Sequence, residues 1–232
     1  MLSQAEKGGV QNTIQNCVTV LQNDPVLADS IRLNLLSERI DIVKPMGWQR
    51  SGPTLTDTDM MYILRRMEKY GLYSEKRVSA AIRIVANENH YHPIRDYLND
   101  LKWDGAERIS HALHRFLGAA EDELTAEALK IFLLGAIKRV FHPGCKFEMM
   151  LCLVGGQGAG KSSFFRLLAI KDEWFSNDLR RMDDDNVFRK LQGHWIMEMS
   201  EMIATANAKS IEEIKSFLSK QKETYKIPYE TH

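Results

Sequence analysis

The stretch Met149–Ala169, MMLCLVGGQGAGKSSFFRLLA, constrains what this chain can fold into more than any other. Met149 to Val154 is a short unbroken apolar run, the pattern of a parallel strand buried on both faces. Gly155-Gly156-Gln157-Gly158-Ala159-Gly160-Lys161-Ser162 then fits G-x-x-x-x-G-K-[ST], and Ser163 to Ala169 follows as an apolar segment able to start a helix. Strand, glycine loop and helix, in that order, are the context a phosphate-binding loop requires. Glycines let the chain turn where a side chain would clash, and they leave backbone N–H groups free to converge on phosphate oxygens. The helix that follows adds its positive N-terminal end. Lys161 is then placed to reach the β- and γ-phosphates and Ser162 to ligate Mg²⁺, so Gly155 through Ser162, with Ser163, form the expected phosphate-binding set.

A chain of 232 residues fits one large or two modest domains. With 44% hydrophobic residues it can bury a real core, and 27% charged residues with no net charge describe an ordinary soluble protein. A neutral balance does not advertise nucleic-acid binding, although a local basic face is compatible with it. No apolar run approaches the roughly 18 residues of a membrane span, and MLSQAEKGGVQN does not read as a signal peptide. Cys17, Cys145 and Cys152 form no C-x-x-C pair, which argues against a disulfide framework or zinc site and fits a reducing, cytoplasmic setting. His90-x-His92 and His111-x-x-His114 lack nearby thiols and read as surface or capping histidines.

Along the chain, Val10, Ile14, Cys17, Val18 and Leu21 fall on one helical face that ends at Asp24-Pro25. Ile31, Leu33 and Leu35, then Ile40 and Ile42, alternate on either side of Ser37-Glu38-Arg39, which predicts a hairpin. Lys44 to Pro53 is a loop carrying Trp48. Thr56-Asp57-Thr58-Asp59 starts a helix with a carboxylate in the capping-box position, running to Tyr70 and stopping at Gly71. Ser74 starts another, with Val78, Ala81, Ile82 and Val85 inward. These two helices carry Arg65, Arg66, Lys69, Lys76, Arg77 and Arg83, either a solvated face or a DNA-contacting patch. Tyr91-His92-Pro93 is the expected joint, followed by a short helix over Ile94 to Leu101 and a turn at Trp103-Asp104-Gly105. Leu129, Phe132, Leu133, Ala136, Ile137, Val140 and Phe141 then trace a wide apolar helical face ending at His142-Pro143-Gly144.

Beyond the glycine loop, Asp183-Asp184-Asp185 reads as the negatively charged start of a helix. Trp195-Ile196-Met197-Glu198-Met199-Ser200-Glu201 is a second apolar strand ending in carboxylates. A phosphate-loop ATPase needs one acid at such a strand end to hold Mg²⁺ and a second to orient or activate water. Glu198 and Glu201 are the candidate pair, and the residues leave open which does which. Ser210 to Leu218 is expected to be helical. Thr224-Tyr225-Lys226-Ile227-Pro228-Tyr229 is aromatic and basic, either a packed edge or a segment touching single-stranded nucleic acid, with Lys226 as its charge.

Pro93-Ile94-Arg95-Asp96-Tyr97-Leu98, Trp103-Asp104-Gly105, the glycine loop, Glu173-Trp174-Phe175, the Gly193–Glu201 strand, Lys215-Ser216-Phe217-Leu218-Ser219 and Pro228-Tyr229 follow one another in this order. From about Tyr91 to the end the chain thereby resembles the virulence-associated protein E family of phages and prophages, whose ATPase domain is similar to superfamily-three helicases of the AAA+ class. The resemblance implies an α/β P-loop NTPase core, AAA+-like and incomplete at its C-terminus, over 93–232, with a helical lead-in at 93–145 and a nucleotide-binding core at 146–232. A mainly helical α+β N-terminal domain, 1–92, precedes it. It implies ATP and Mg²⁺ as cofactors, nucleotide contacts from Gly158, Gly160, Lys161 and Ser162, and acid roles for Glu198 and Glu201. The implied activity is helicase-like work on single-stranded DNA in replication, by a homo-oligomeric ring acting with replication proteins. Family members continue past the Pro-Tyr segment to a polar sensor and an arginine finger, and this sequence stops at His232. Nucleotide binding with weak turnover is therefore the expectation, since an arginine finger is worth ~10³–10⁵ in rate. The alternatives are a truncated protein that binds and interferes with replication proteins, and a small-molecule kinase. A GTPase is disfavoured, because no D-x-x-G or N-K-x-D follows the loop.

Overall fold

The computed structural model describes residues 2–4, 8–179, 190–200 and 215–216. Asp183-Asp184-Asp185, Glu201, most of the expected Ser210–Leu218 helix and the whole of Thr224–Tyr229, with Lys226, lie outside the described residues. The chain forms two compact units, Met1–Asp96 and Tyr97–His232. The sequence placed its boundary at 92/93.

The first unit holds α1 (Ile14–Asn23), an antiparallel hairpin of β1 (Ile31–Asn34) and β2 (Arg39–Ile42), α2 (Asp57–Met67) and α3 (Glu75–Glu88). The expected hairpin forms, and its register sets Ile31 opposite Ile42 and Leu33 opposite Ile40. Tyr91 extends the sheet by an isolated parallel bridge to Asn34. Cys17, Leu21, Ile31, Ile63, Met67, Leu72, Val78 and Ala81 are wholly buried in one cluster. The expected helical face begins later than its apolar pattern. Thr13 caps α1, Ile14 is 41% exposed, and Val10 bridges back to Gln4 instead of joining the helix. Gly8 and Gly9, both at positive φ, turn the chain just before that bridge. Asn16, buried inside α1, accepts from Ser3 and donates to the Ser3 and Gln11 carbonyls, so it holds the entering segment.

Three buried aspartates organise the polar interior of this unit, and each has specific donors. Asp59 completes a capping box with Thr56 at the start of α2. It also accepts from Arg50 Nε (2.8 Å) and Trp48 Nε1 (2.7 Å), and Arg50 donates onward to the Ile42, Pro53 and Thr54 carbonyls. The loop from 44 to 53 is thus riveted to β2 and α2 by one guanidinium. Asp24, past the end of α1, accepts from Arg66, Tyr70 and the amides of Val26 and Leu27. Asp41 accepts from Asn34 and the Tyr91 hydroxyl. Burial alone would raise the Asp59 and Asp24 carboxyls, but these hydrogen bonds outweigh it and hold both below the usual carboxylate range. α2 passes into a 3₁₀ turn, Glu68–Tyr70, and stops at Gly71 in the left-handed conformation.

α4 (Pro93–Asp100) carries the chain across the boundary between units. The second unit continues with α5 (Ile109–Leu117), α6 (Glu123–Phe141), α7 (Lys161–Leu168) and a parallel pair, β3 (Phe175–Ser176) and β4 (Ile196–Met197). Leu113 of α5, Leu129 of α6 and Phe164 of α7 form its core, with Phe132, Leu133, Leu151, Leu153 and Leu168 packed around them. Two sequence expectations are corrected here. Met149 to Val154 is not a doubly buried parallel strand. It pairs with no strand among the described residues, Leu151 and Leu153 pack on the helical core, and Met149 (54% exposed) and Val154 (79%) face outward. The helices cover one side of it, so its side chains are at most half-buried, which an unbroken apolar run does not reveal. The wide apolar face expected on α6 is also narrower in burial. Leu129, Gly135 and Val140 are buried, while Ile137 and Phe141 are exposed. The Phe147 ring lies against Gly135 where any Cβ would sit.

Removing the Asp59 carboxylate leaves a partly buried Arg50 and an indole N–H unpaired and strips a helix cap. Asp59→Ala should therefore destabilise the first unit by about 3–5 kcal/mol. Asp57→Ala, at an exposed position two residues earlier, should stay within about 0.5 kcal/mol; urea unfolding followed at Trp48 compares them. Because the Asp24 and Asp59 pKa values are depressed on folding, their stabilisation is present in full above about pH 4. It should be lost as pH falls through the folded-state values, and the acid slope should flatten in Asp59→Ala.

Candidate functional site

The glycine loop runs exposed from the helical core to α7. Gly158 and Gly160 both sit at φ +82°, a left-handed conformation that L side chains rarely adopt, and Gly160 caps α7. Phe164 N donates to Gly160 O at 2.9 Å, so the first turn of the helix closes directly on the loop. Lys161, the first residue of α7, folds its ammonium back over the loop and donates to the carbonyls of Gly155 (2.8 Å) and Gly156 (2.7 Å). Ala112 and Leu117 of α5 join the core that backs the loop, and a side chain on Gly160 would rest against Leu117.

Glu198 arrives from the other side. β4 pairs in parallel with β3, Phe175 against Ile196 and Ser176 against Met197. Trp195 N donates to Trp174 O at 2.7 Å and Glu198 N to Ser176 O at 2.8 Å, which extends the ladder on both sides of this short pair. The Trp195 indole donates to Ala136 O of α6 at 3.2 Å, and its ring meets Trp174 edge-on at 6.3 Å. Held in this way, Glu198 accepts from Ser162 Oγ through Oε1 at 2.6 Å. Its other oxygen, Oε2, is buried and has no hydrogen-bond partner among the described residues. A serine hydroxyl and a carboxylate with one oxygen to spare are hard oxygen donors. They suit Mg²⁺, which takes one or two protein oxygens together with phosphate oxygens and water. The residues present therefore fit the ion that the motif implies.

A sequence profile of the virulence-associated protein E-like domain matches residues 98–232, more than half of the chain. The chain belongs to the virulence-associated protein E-like family. No curated protein matches it. The matched region takes in the glycine loop, α7 and β4, whereas residues 1–97, with the whole of the first unit, lie outside it.

Within the virulence-associated protein E-like domain, the structure brings together Ser162, the expected Mg²⁺ ligand, and Glu198, one of the two candidate acids. Glu201 lies outside the described residues. Gln157, Ala159 and Ser163 are exposed on the loop and the first turn of α7. No group of three His, Cys, Asp or Glu able to hold a metal occurs among the described residues; His111 and His114 pair with Glu121 on the surface. Of the DNA-contact candidates, Arg65 and Lys69 are exposed, but Arg66 is corrected: its guanidinium is turned onto the buried Asp24 carboxylate. Sequence reasoning missed β3, whose Ser176 carbonyl fixes the Glu198 backbone, and α5, which backs the loop. Glu173-Trp174-Phe175 was visible as a motif, but a two-residue strand is too short to show periodicity. Arg166 of α7 grips Asp172 with two hydrogen bonds, 2.6 and 2.7 Å, and so ties the loop helix to the turn that enters β3.

The glycine conformations make a selective prediction. Gly158→Ala and Gly160→Ala should each cost about 1–2 kcal/mol in urea unfolding of the domain. At Gly155 and Gly156, where φ is not positive and an added Cβ meets nothing, the same change should stay within about 0.5 kcal/mol.

Proposed function

We propose that this virulence-associated protein E-like domain is a P-loop NTPase core of AAA+-like type that binds ATP and Mg²⁺ at Gly155 to Ser163. The reading rests on one observation above all: Ser162 Oγ and the Glu198 carboxylate, distant in sequence, meet at 2.6 Å at the start of the glycine-loop helix. A hydroxyl on the loop helix facing a strand-end acid is the arrangement that positions Mg²⁺ in a phosphate-loop site. Lys161 reaches the loop carbonyls through its own flexible side chain, so turning from them to β- and γ-phosphate oxygens needs no backbone change. Gly158 and Gly160 carry no side chain that would stand between the loop and phosphate oxygens. Mg²⁺, when bound, neutralises phosphate charge and aligns the terminal group. Glu198 accepts from Ser162 and keeps its second oxygen for the metal side, and Glu201 is assigned the water-orienting role. The wider role we infer is helicase-like work on single-stranded DNA in phage or prophage replication, carried out by a homo-oligomeric ring.

Equilibrium binding of a fluorescent ATP analogue to the full chain tests the nucleotide half. Lys161→Ala should weaken binding about 10- to 150-fold, the loss of a hydrogen-bonded charge. Glu198→Gln should remove most of the gain in affinity that Mg²⁺ confers while leaving binding in EDTA nearly unchanged. If both variants bind like the parent chain, the nucleotide reading fails. Hydrolysis that single-stranded DNA does not stimulate would remove the replication role and leave the nucleotide site standing.

A further inference from the structure

The first unit carries a second charged feature, independent of the glycine loop. α2 turns Asp59, Ile63 and Met67 inward, and its outer side presents Tyr62 and Arg65, three positions apart on one helix face, with Lys69 exposed in the 3₁₀ turn that follows. The chain then reverses at Gly71, and Tyr73 stands 68% exposed in the turn before α3. Lys76 and Arg77 follow on the first turn of α3, and Arg83 lies two turns beyond Lys76 on the same face. All five cations are exposed.

Arg39 of β2, like these five, is exposed and forms no ion pair among the described residues, but it stands alone, whereas they cluster along α2 and α3. Arg50, Arg66 and Lys44 are each paired with an aspartate, and Arg32 lies over the Tyr91 ring. Among the described residues, Arg65, Lys69, Lys76, Arg77 and Arg83 form no ion pair, although the exposed Glu68 and Glu75 are their sequence neighbours. The aromatic rings between them are presented as platforms. Tyr62 stacks on Trp48 with centroids 4.9 Å apart and planes 7° from parallel, so one face is backed by protein while the residue remains 40% exposed. Exposed cations with two exposed tyrosines beside them, Tyr62 braced by Trp48 and Tyr73 standing free in the turn, match the chemistry of an unpaired nucleic-acid strand, which offers phosphates and bare base faces together.

We propose that the outer face of α2 and the turn into α3 bind single-stranded nucleic acid, with the five cations on its phosphates and Tyr62 and Tyr73 stacked on its bases. The surface lies outside the region matched by the family profile and needs no nucleotide at the glycine loop.

Fluorescence anisotropy of the full chain with a fluorescein-labelled oligo-dT of about 20 nucleotides, without ATP or Mg²⁺, tests it. Five phosphate contacts predict a slope of about −3.5 in log K against log salt, or about 100-fold weaker binding at 200 mM than at 50 mM salt. Tyr73→Ala should weaken binding about 5- to 150-fold at constant slope, and Tyr73→Phe should restore it. The triple change Lys69→Ala, Lys76→Ala, Arg77→Ala should flatten the slope to about −1.4. These positions are exposed, and unchanged circular-dichroism melts would confirm folding. Equal affinity for a blunt duplex, or Tyr73→Ala and the triple variant binding like the parent chain, would overturn the proposal.

Discussion

A hydrogen bond from Ser162 Oγ to Glu198 Oε1 joins residues 36 positions apart, and the second unit is built so that it can form. Neither end is free to choose its place. Ser162 is the second residue of α7, whose start is set by the left-handed Gly160 and whose far end is gripped through Arg166 and Asp172. Glu198 follows a strand of two residues, too short to hold itself. Its position comes from the ladder to Ser176 and from the Trp195 indole reaching the Ala136 carbonyl. Buried carboxylates are costly without donors, and Glu198 retains one buried oxygen with none. In the reading proposed above, that oxygen is the one kept for Mg²⁺.

The first unit uses carboxylates in the opposite way. Asp24 and Asp59 are buried but surrounded by donors from several elements, so each fastens a loop or helix end to its neighbours. Such partly desolvated pairs are weak evidence of net stabilisation, yet removing one partner is severe because the other is left unpaired. The same bookkeeping sorts the basic residues. Those paired with Asp24, Asp29 and Asp59 belong to the fold, and those left on the outer side of α2 and α3 are available for something outside it.

Where local rules govern, the residues announced the structure. The Thr56–Asp59 capping box, the stop at Gly71 and the hairpin around Ser37-Glu38-Arg39 were all readable, because each depends on neighbours within a few positions. The start of α1 was misjudged because an apolar residue in phase, Val10, is held by a bridge to Gln4 rather than by a helix. Met149–Val154 was misjudged because an apolar run shows which residues prefer burial, not how many sides have something to bury them. Arg66 looked like its neighbour Arg65 in sequence, and only Asp24, 42 positions away, distinguishes them.

By itself the sequence determined the glycine loop, the lysine and serine that follow it, and the family to which the chain belongs, since these reside in contiguous residue types and their spacing. Only the tertiary structure decided that Glu198 meets Ser162, that Ser176 and Trp195 hold it there, and which cations are spoken for. Those facts depend on distances between segments far apart along the chain. Burial and long-range pairing set such distances, and no local propensity records them.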